Sequence, residues 1–110
     1  MHLTRTDKER LESIRCLITE NVAVHFRIEE LAAKAFMSRS NLVKKYKAYF
    51  HISLYAYLLQ LRLDSAKALL GETDDPIRTV ARRCGFKHPC NFTIAFREMF
   101  GVTPRQYRKS

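Results

Sequence analysis

The sequence repeats itself. Sliding the chain along itself by 49 positions lays Ile28 on Ile77, Leu31 on Val80, Ala32 on Ala81, Ala35 on Cys84 and Met37 on Phe86. A slide of 50 then lays Leu42 on Phe92, Tyr46 on Phe96, Phe50 on Phe100, Ile52 on Val102, Ser53 on Thr103 and Tyr57 on Tyr107. The one-residue change falls in a turn, where an insertion is most easily absorbed. The matched positions are apolar at helical spacing, so one two-helix unit is present twice. In each copy a short helix with a small residue at its centre, Ala32 or Ala81, leads through a tight turn into a longer helix. The small residue lets the second helix cross closely over the first. This is the helix-turn-helix layout, in which the second helix enters a major groove of DNA.

Between the copies runs SLYAYLLQLRLDSAKALL, residues 53–70, with no proline and no internal glycine. Ser53 is a good N-cap and Gly71 a good stop, so one long helix is expected. On a helical wheel Tyr55, Leu58, Leu59, Leu61, Leu63, Ala66, Ala68, Leu69 and Leu70 fill an arc of about 220°, wider than an ordinary surface stripe. Such a helix must be covered from more than one direction. It is expected to be a strut about 25 Å long. Arg62 falls inside the apolar arc, where its guanidinium needs an acidic partner or a phosphate at the end of its reach; an internal salt bridge is the first expectation, and the sequence does not identify the acid.

The other helices follow from caps and periodicity. Thr6-Asp7-Lys8-Glu9 reads as a capping box opening a helix to about Asn21, with Leu11, Ile14, Leu17 and Ile18 inward. Residues 22–27 form a connection and 28–35 a short helix. Ser38 caps a helix over Arg39–Phe50. Asp75-Pro76 reads as an N-cap followed by proline at the first helical position of 77–84. A helix over Pro89–Phe100 is stopped by Gly101, and Thr103-Pro104-Arg105-Gln106 opens a last short helix. The expected fold is all-α: seven helices, two helix-turn-helix subdomains and a long connecting helix, divided as 1–52, 53–70 and 71–110.

Charge names the class of partner. Twenty Lys and Arg against 11 acids give +9 and a sequence pI near 9.8, which points to a polyanion. Three cysteines, an odd number without a Cys-x-x-Cys pair, suit a reducing cytoplasm. The first ten residues are too polar for a signal peptide, and no apolar run approaches the length of a membrane span. An alternative is a helical module that binds a protein or an anionic membrane. Membrane binding would gather bases and apolar residues on one exposed amphipathic helix, whereas here the bases are dispersed over paired hairpins. Cys84, His88 and Cys90 lie close together, but Cys84 takes the repeat's buried small position and no fourth ligand is spaced nearby, so no metal or other cofactor is expected. His2, His25 and His51 have no Cys, Ser or acid at a catalytic spacing, and an enzyme reading has no residues to stand on.

Helical geometry selects the groove-facing residues. With Leu42 set at 0°, Ser40, Lys44 and Lys47 lie at about 160°, 200° and 140°, and Val43 near 100°. With Phe92 at 0°, Cys90, Ile94 and Arg97 take the same angles in the second copy. Base readout is therefore assigned to Ser40, Val43, Lys44 and Lys47, and to Cys90, Asn91, Ile94 and Arg97. Lys44 can donate to guanine acceptors and Ser40 to several base edges, while Val43 and Ile94 can only press on thymine methyls or shape the fit. The halves are expected to be unequal, polar in the first and more apolar in the second. Phosphate contacts are assigned to Arg39, Lys45, Lys87, Arg105 and Arg108, near helix ends and turns. A 25 Å strut with a helix packed at each end is the scale of the roughly 34 Å between successive major grooves, so a monomer is expected to read two adjacent grooves.

From Ile28 to Arg108, about three quarters of the chain, the sequence resembles the C-terminal DNA-binding domain of AraC/XylS-type transcription regulators. The resemblance rests on Leu31-Ala32, Ser38, Arg62-Leu63 with Ala66 and Leu69-Leu70, Pro76-Ile77, Ala81 with Gly85-Phe86, Phe92 with Phe96, Gly101-Val102, and Pro104 with Tyr107-Arg108. It implies a sequence-specific double-stranded DNA partner and control of transcription initiation through RNA polymerase. The glycine usual after the first recognition helix is His51 here, which predicts a different cap. Family members often carry a sensor domain as well, so the chain is either a stand-alone regulator or a piece of a longer one.

Overall fold

The computed structural model describes residues 2–22, 24 and 26–109. Ala23 and His25, in the expected 22–27 connection, lie outside the described residues, and so does the expectation about His25. Among the described residues there are seven helices and no strand: α1 (Arg5–Glu20), α2 (Ile28–Lys34), α3 (Arg39–Phe50), α4 (Leu54–Glu72), α5 (Ile77–Arg83), α6 (Pro89–Phe100) and α7 (Pro104–Lys109). They form two compact units that divide inside α4, between Leu59 and Gln60.

The first unit buries Leu11, Ile14 and Ile18 of α1, Ile28, Leu31 and Ala32 of α2, Leu42 and Tyr46 of α3, and Leu54 and Leu58 of α4. The second buries Leu63, Ala66 and Leu70 of α4, Val80 and Ala81 of α5, Cys84, and Phe92 and Phe96 of α6. The long helix thus serves one core with its early turns and another with its later ones. At each level only part of its wide apolar arc is covered, and Tyr55, Leu59 and Ala68 are exposed. Arg62 is half-buried, and desolvation pulls its guanidinium below the ordinary arginine value.

The repeat is larger than two helices. With an offset of 52, Leu11, Ile14 and Ile18 of α1 match Leu63, Ala66 and Leu70 of α4, all buried. Arg15 matches Lys67, and the two cations do the same thing. Arg15 lies over the rings of Phe50 and Tyr57, 4.8 and 4.9 Å from their centroids. Lys67 lies over Phe100 and Tyr107, the repeat partners of those rings, at 4.7 and 5.6 Å. Each unit is therefore three helices plus the first turns of a fourth. A cation on the first helix covers two aromatic rings with its charge still in water.

Four local expectations shift. The capping box that opens α1 uses Thr4 and Asp7 rather than Thr6 and Glu9: the Asp7 N–H donates to Thr4 Oγ1 at 3.0 Å and the Thr4 N–H to Asp7 Oδ2 at 3.1 Å. In this register Asp7 also receives Lys45 of α3 at 3.1 Å, a tertiary contact that local spacing does not reveal. Gly71 does not stop α4, which runs on to Glu72 without a left-handed residue. The Thr73 N–H and hydroxyl both donate to the Leu69 carbonyl there, at 2.9 and 2.8 Å. Pro76 rather than Asp75 is the N-cap of α5, because the Asp75 carboxylate accepts from Arg83 at 2.9 Å. Lastly, His51 ends α3 in the same left-handed conformation that Gly101 gives α6, with φ of 61° and 81°. The missing glycine has changed the residue and left the cap in place.

The helix-turn-helix turns show the same substitution. In both units the short helix closes with a 6→1 bond, Met37 N–H to Ala32 O and Phe86 N–H to Ala81 O, each 2.9 Å. A 5→2 bond accompanies it, Phe36 N–H to Ala33 O and Gly85 N–H to Arg82 O, each 3.1 Å. This Schellman closure needs a left-handed residue, supplied by Gly85 (φ 92°) in one unit and by Phe36 (φ 56°) in the other. The first unit thus holds two side-chain-bearing residues where the second holds glycines. Each costs about 1 kcal/mol or more in backbone strain. We expect His51→Gly and Phe36→Gly each to stabilise the first unit by about 1 kcal/mol, less for Phe36→Gly because the ring's contact with Arg10, 5.0 Å from its centroid, is lost. Gly101→Ala should destabilise by a similar amount, since a Cβ there meets nothing within 4 Å and the cost is backbone alone. Denaturant melts of the three variants check this, and a His51→Gly protein no more stable than the parent would contradict it.

Candidate nucleic-acid interface

Two turns of one geometry present two helices in the same way. On α3, Leu42 and Tyr46 are buried while Ser40, Asn41, Lys44 and Lys47 are exposed and Val43 is half-buried. On α6, Phe92 and Phe96 are buried while Cys90, Asn91, Ile94 and Arg97 are exposed. All eight assigned readout residues thus lie off the cores, on the outward faces of their helices. Ser38 caps α3 by accepting the Asn41 N–H at 3.1 Å, which fixes where the first turn of that face begins. Pro89 holds the first position of α6 after His88, which makes no side-chain capping bond.

The inward faces explain why these helices hold their places. Phe92 packs against Phe86 and Phe96 with centroids 5.2 and 5.7 Å apart, and Phe96 reaches Phe100 and Tyr107 at 4.6 and 6.0 Å. Tyr46 takes the place of Phe96 in the first unit, against Phe50 at 4.6 Å. Its hydroxyl is buried with no hydrogen-bond partner among the described residues, and burial pushes its pKa up to about 12. A ring identical but for the hydroxyl serves the second unit without that cost.

The surface differs between the helices as their sequences predict. The α3 face carries Lys44 and Lys47 beside Ser40, and the α6 face carries one cation, Arg97, with Ile94 58 % exposed.

The five assigned phosphate contacts separate into two groups. Lys87 and Arg105 are exposed, with no carboxylate partner among the described residues. Three others are engaged within the protein. Lys45 is mostly buried against Asp7, whose carboxyl is held below its usual value first by the Thr4 N–H and then by Lys45. Arg108 donates to three backbone carbonyls, Leu70 at 3.3 Å, Thr73 at 3.2 Å and Asp75. It thereby closes the C-terminal end of α4, where helix carbonyls lack partners and a cation is favoured. Arg39 gives one nitrogen to Glu29 and another to Tyr55, each at 3.2 Å, and remains on the surface. Lys45 and Arg108 are thus each held by partners within their own unit, while Arg39 remains exposed beside Ser40.

Tyr55 is the residue that spacing on the recognition helix could not find, because it belongs to α4. It borders an open cleft with Arg39, Ser40, Val43 and Lys44. The repeat carried a signal for it: a slide of 50 lays Tyr55 on Arg105.

A helix-turn-helix domain family model matches residues 31–110. The HTH-type transcriptional regulator GbdR of Pseudomonas aeruginosa is 35% identical over 108 residues, covering 98% of this chain and 29% of that protein. The probable transcriptional regulator LumQ of Photobacterium leiognathi is 31% identical over 107 residues, covering 93% of this chain and 43% of that protein. The chain therefore spans less than half the length of these relatives. Among solved structures, the DNA-binding domain of the transcriptional factor AdpA in complex with a target DNA superposes with a TM-score of 0.86 at 30% identity, over 91% of this chain and 90% of that one. A Chromobacterium violaceum transcriptional regulator with an AraC-type DNA-binding domain gives 0.82 at 27% identity, over 96% and 95%. With the turn, the cap and the outward helix each present twice and the family model running from Leu31 to the end, this chain belongs to the AraC-type helix-turn-helix family of transcription regulators.

Proposed function

We infer that the chain is a sequence-specific double-stranded DNA-binding module that regulates transcription initiation. Each helix-turn-helix unit lays its second helix, α3 or α6, in a major groove, and one chain acting as a monomer takes two adjacent grooves. The observation that carries this reading is the paired outward face: Ser40, Lys44 and Lys47 on one helix, Cys90, Ile94 and Arg97 on the other, each behind the same Schellman turn. Regulation through RNA polymerase, in the cytoplasm, belongs to the same reading and rests on the family. No helix among the described residues is long and apolar enough to cross a membrane.

The halves read differently. Lys44 donates to guanine O6 and N7, and Ile94 presses on thymine methyls or selects by shape. Selection of bound duplexes from a random pool tests this. Lys44→Ala should cost about 1–3 kcal/mol and relax preference at one guanine-bearing position. Ile94→Ala should cost less and act in the other half of the site. Selected sites from both variants that match the parent's would remove these residues from the readout. A footprint covering a single groove would reject the two-groove arrangement.

A further inference from the structure

We propose that Tyr55, outside either recognition helix, is a specificity-determining residue of the first unit, forming with Val43 an apolar cleft that accepts the C5-methyl edge of a thymine beside the base read by Lys44. The proposal rests on the DNA-reading role assigned above and deepens it. Tyr55 is 51 % exposed, a large aromatic left in water at the mouth of α4. Its position is not slack. Arg39 donates to its hydroxyl at 3.2 Å and is itself anchored on Glu29 at 3.2 Å, so a three-residue chain from α2 through α3 to α4 fixes the ring.

The cleft it borders has a volume of about 460 Å³ and is lined by Arg39, Ser40, Val43, Lys44 and Tyr55. That is room for the edge of a base with its sugar, not for a methyl alone. Two of the residues are apolar or aromatic walls and two are cations at the rim, so the cleft suits an apolar group carried on a polyanion. In duplex DNA the apolar group exposed in the major groove is the thymine methyl. Ser40, Val43 and Lys44 belong to the face of α3 already assigned to base readout, so the cleft opens where bases would pass. The equivalent place in the second unit is held by Arg105, which suits a phosphate and makes no such wall. The two halves thus differ outside their recognition helices as well as on them.

The test uses the whole chain and a duplex selected from random DNA, with each thymine replaced in turn by deoxyuridine, which lacks only the methyl. At one thymine in the half-site of the first unit, the parent protein should bind the deoxyuridine duplex about three- to fivefold more weakly, the scale of one buried methyl. Tyr55→Phe keeps the ring and should keep that ratio. Tyr55→Ala removes the wall and should bring the ratio to about one, while still preferring the selected site to scrambled DNA. Tyr55→Ala retaining the full methyl dependence overturns the proposal. So does Tyr55→Phe bringing the ratio to about one, which would place the discrimination on the hydroxyl rather than on the ring. A parent protein with no preference between selected and scrambled DNA would instead overturn the DNA-reading role beneath it.

Discussion

Arg108→Ala is expected to destabilise the second unit by about 3 kcal/mol, the largest effect of any surface-reaching charge in the chain. The guanidinium donates to the carbonyls of Leu70, Thr73 and Asp75, where α4 ends and the chain turns toward α5. Carbonyls at a helix end have no partner within the helix. One planar cation answering the Leu70 carbonyl of that end and the Thr73 and Asp75 carbonyls just beyond it fixes the path of residues 73–76. Alanine leaves those acceptors to partial hydration, and hydrogen bonds to charged groups are each worth about 1.5–3 kcal/mol, so the three together lose more than one and less than their sum. Arg108→Lys should recover only part, because an ammonium cannot spread over three carbonyls. The control is Arg105→Ala in the same helix, exposed and expected to change stability by less than about 0.5 kcal/mol. Equal denaturation midpoints for the Arg105 and Arg108 variants would show that the bonds to the α4 end contribute nothing.

Arg108 also shows where local reading of the sequence stops. Residues whose roles depend on helical period were legible. Leu42, Tyr46, Phe92 and Phe96 face inward, and the residues two before and two, or five, after Leu42 and Phe92 face outward. The bounds of α3 and α6, set by Ser38, Pro89 and Gly101, were legible for the same reason. What was not legible depends on a partner outside the local capping pattern, eight positions away for Asp75 and more than 30 for Asp7 and Arg108. Asp7 leaves the Thr6 register because it meets Lys45, Asp75 leaves the cap because it meets Arg83, and Arg108 is drawn to carbonyls more than 30 positions away. A basic residue near a helix end looks the same in one dimension whether it holds a phosphate or a carbonyl.

The repeat gives a second lesson. LESIRCLI in α1 and LDSAKALL in α4 match at an offset of 52, a signal as plain as the one between the turns. Comparing only the helix-turn-helix segments hides it, and with it the reason α4 divides between two units. Its early turns match α7, as Ser53 and Tyr57 match Thr103 and Tyr107, and its later turns match α1. The wide apolar arc read as a strut is two narrower stripes, one for each duplicate. Phe36 and His51 then stand out as places where the copies have diverged at glycine positions while the backbone has not.

The binding of a selected duplex is expected to weaken about 500-fold between 50 and 200 mM salt. The figure follows from counting, among the cations assigned to DNA, those that the fold leaves without an internal partner. Lys44, Lys47, Lys87, Arg97 and Arg105 are exposed and have no carboxylate partner among the described residues. Each cation brought against the duplex, at a base edge or at a phosphate, displaces condensed counterions, so about five give a log–log slope of about −4.5 and a fall of about 500-fold over that range. Charge alone predicts something else. If Arg39, Lys45 and Arg108 also reached phosphates, about eight contacts would give a slope of about −7 and a fall of about 20,000-fold. The two outcomes differ by more than tenfold, well beyond the error of a titration. Single substitutions sharpen the distinction: Lys87→Ala and Arg105→Ala should each reduce the slope by about one, while Lys45→Ala should leave it unchanged. A slope near −7, or one that drops with Lys45→Ala, would mean that Asp7 surrenders its lysine to the duplex. The internal pairings in the structure would then describe only the protein without DNA. A slope near −4.5 would mean that the same pairings, by holding Lys45 and Arg108 inside the units, decide how much of the +9 charge the protein brings to DNA.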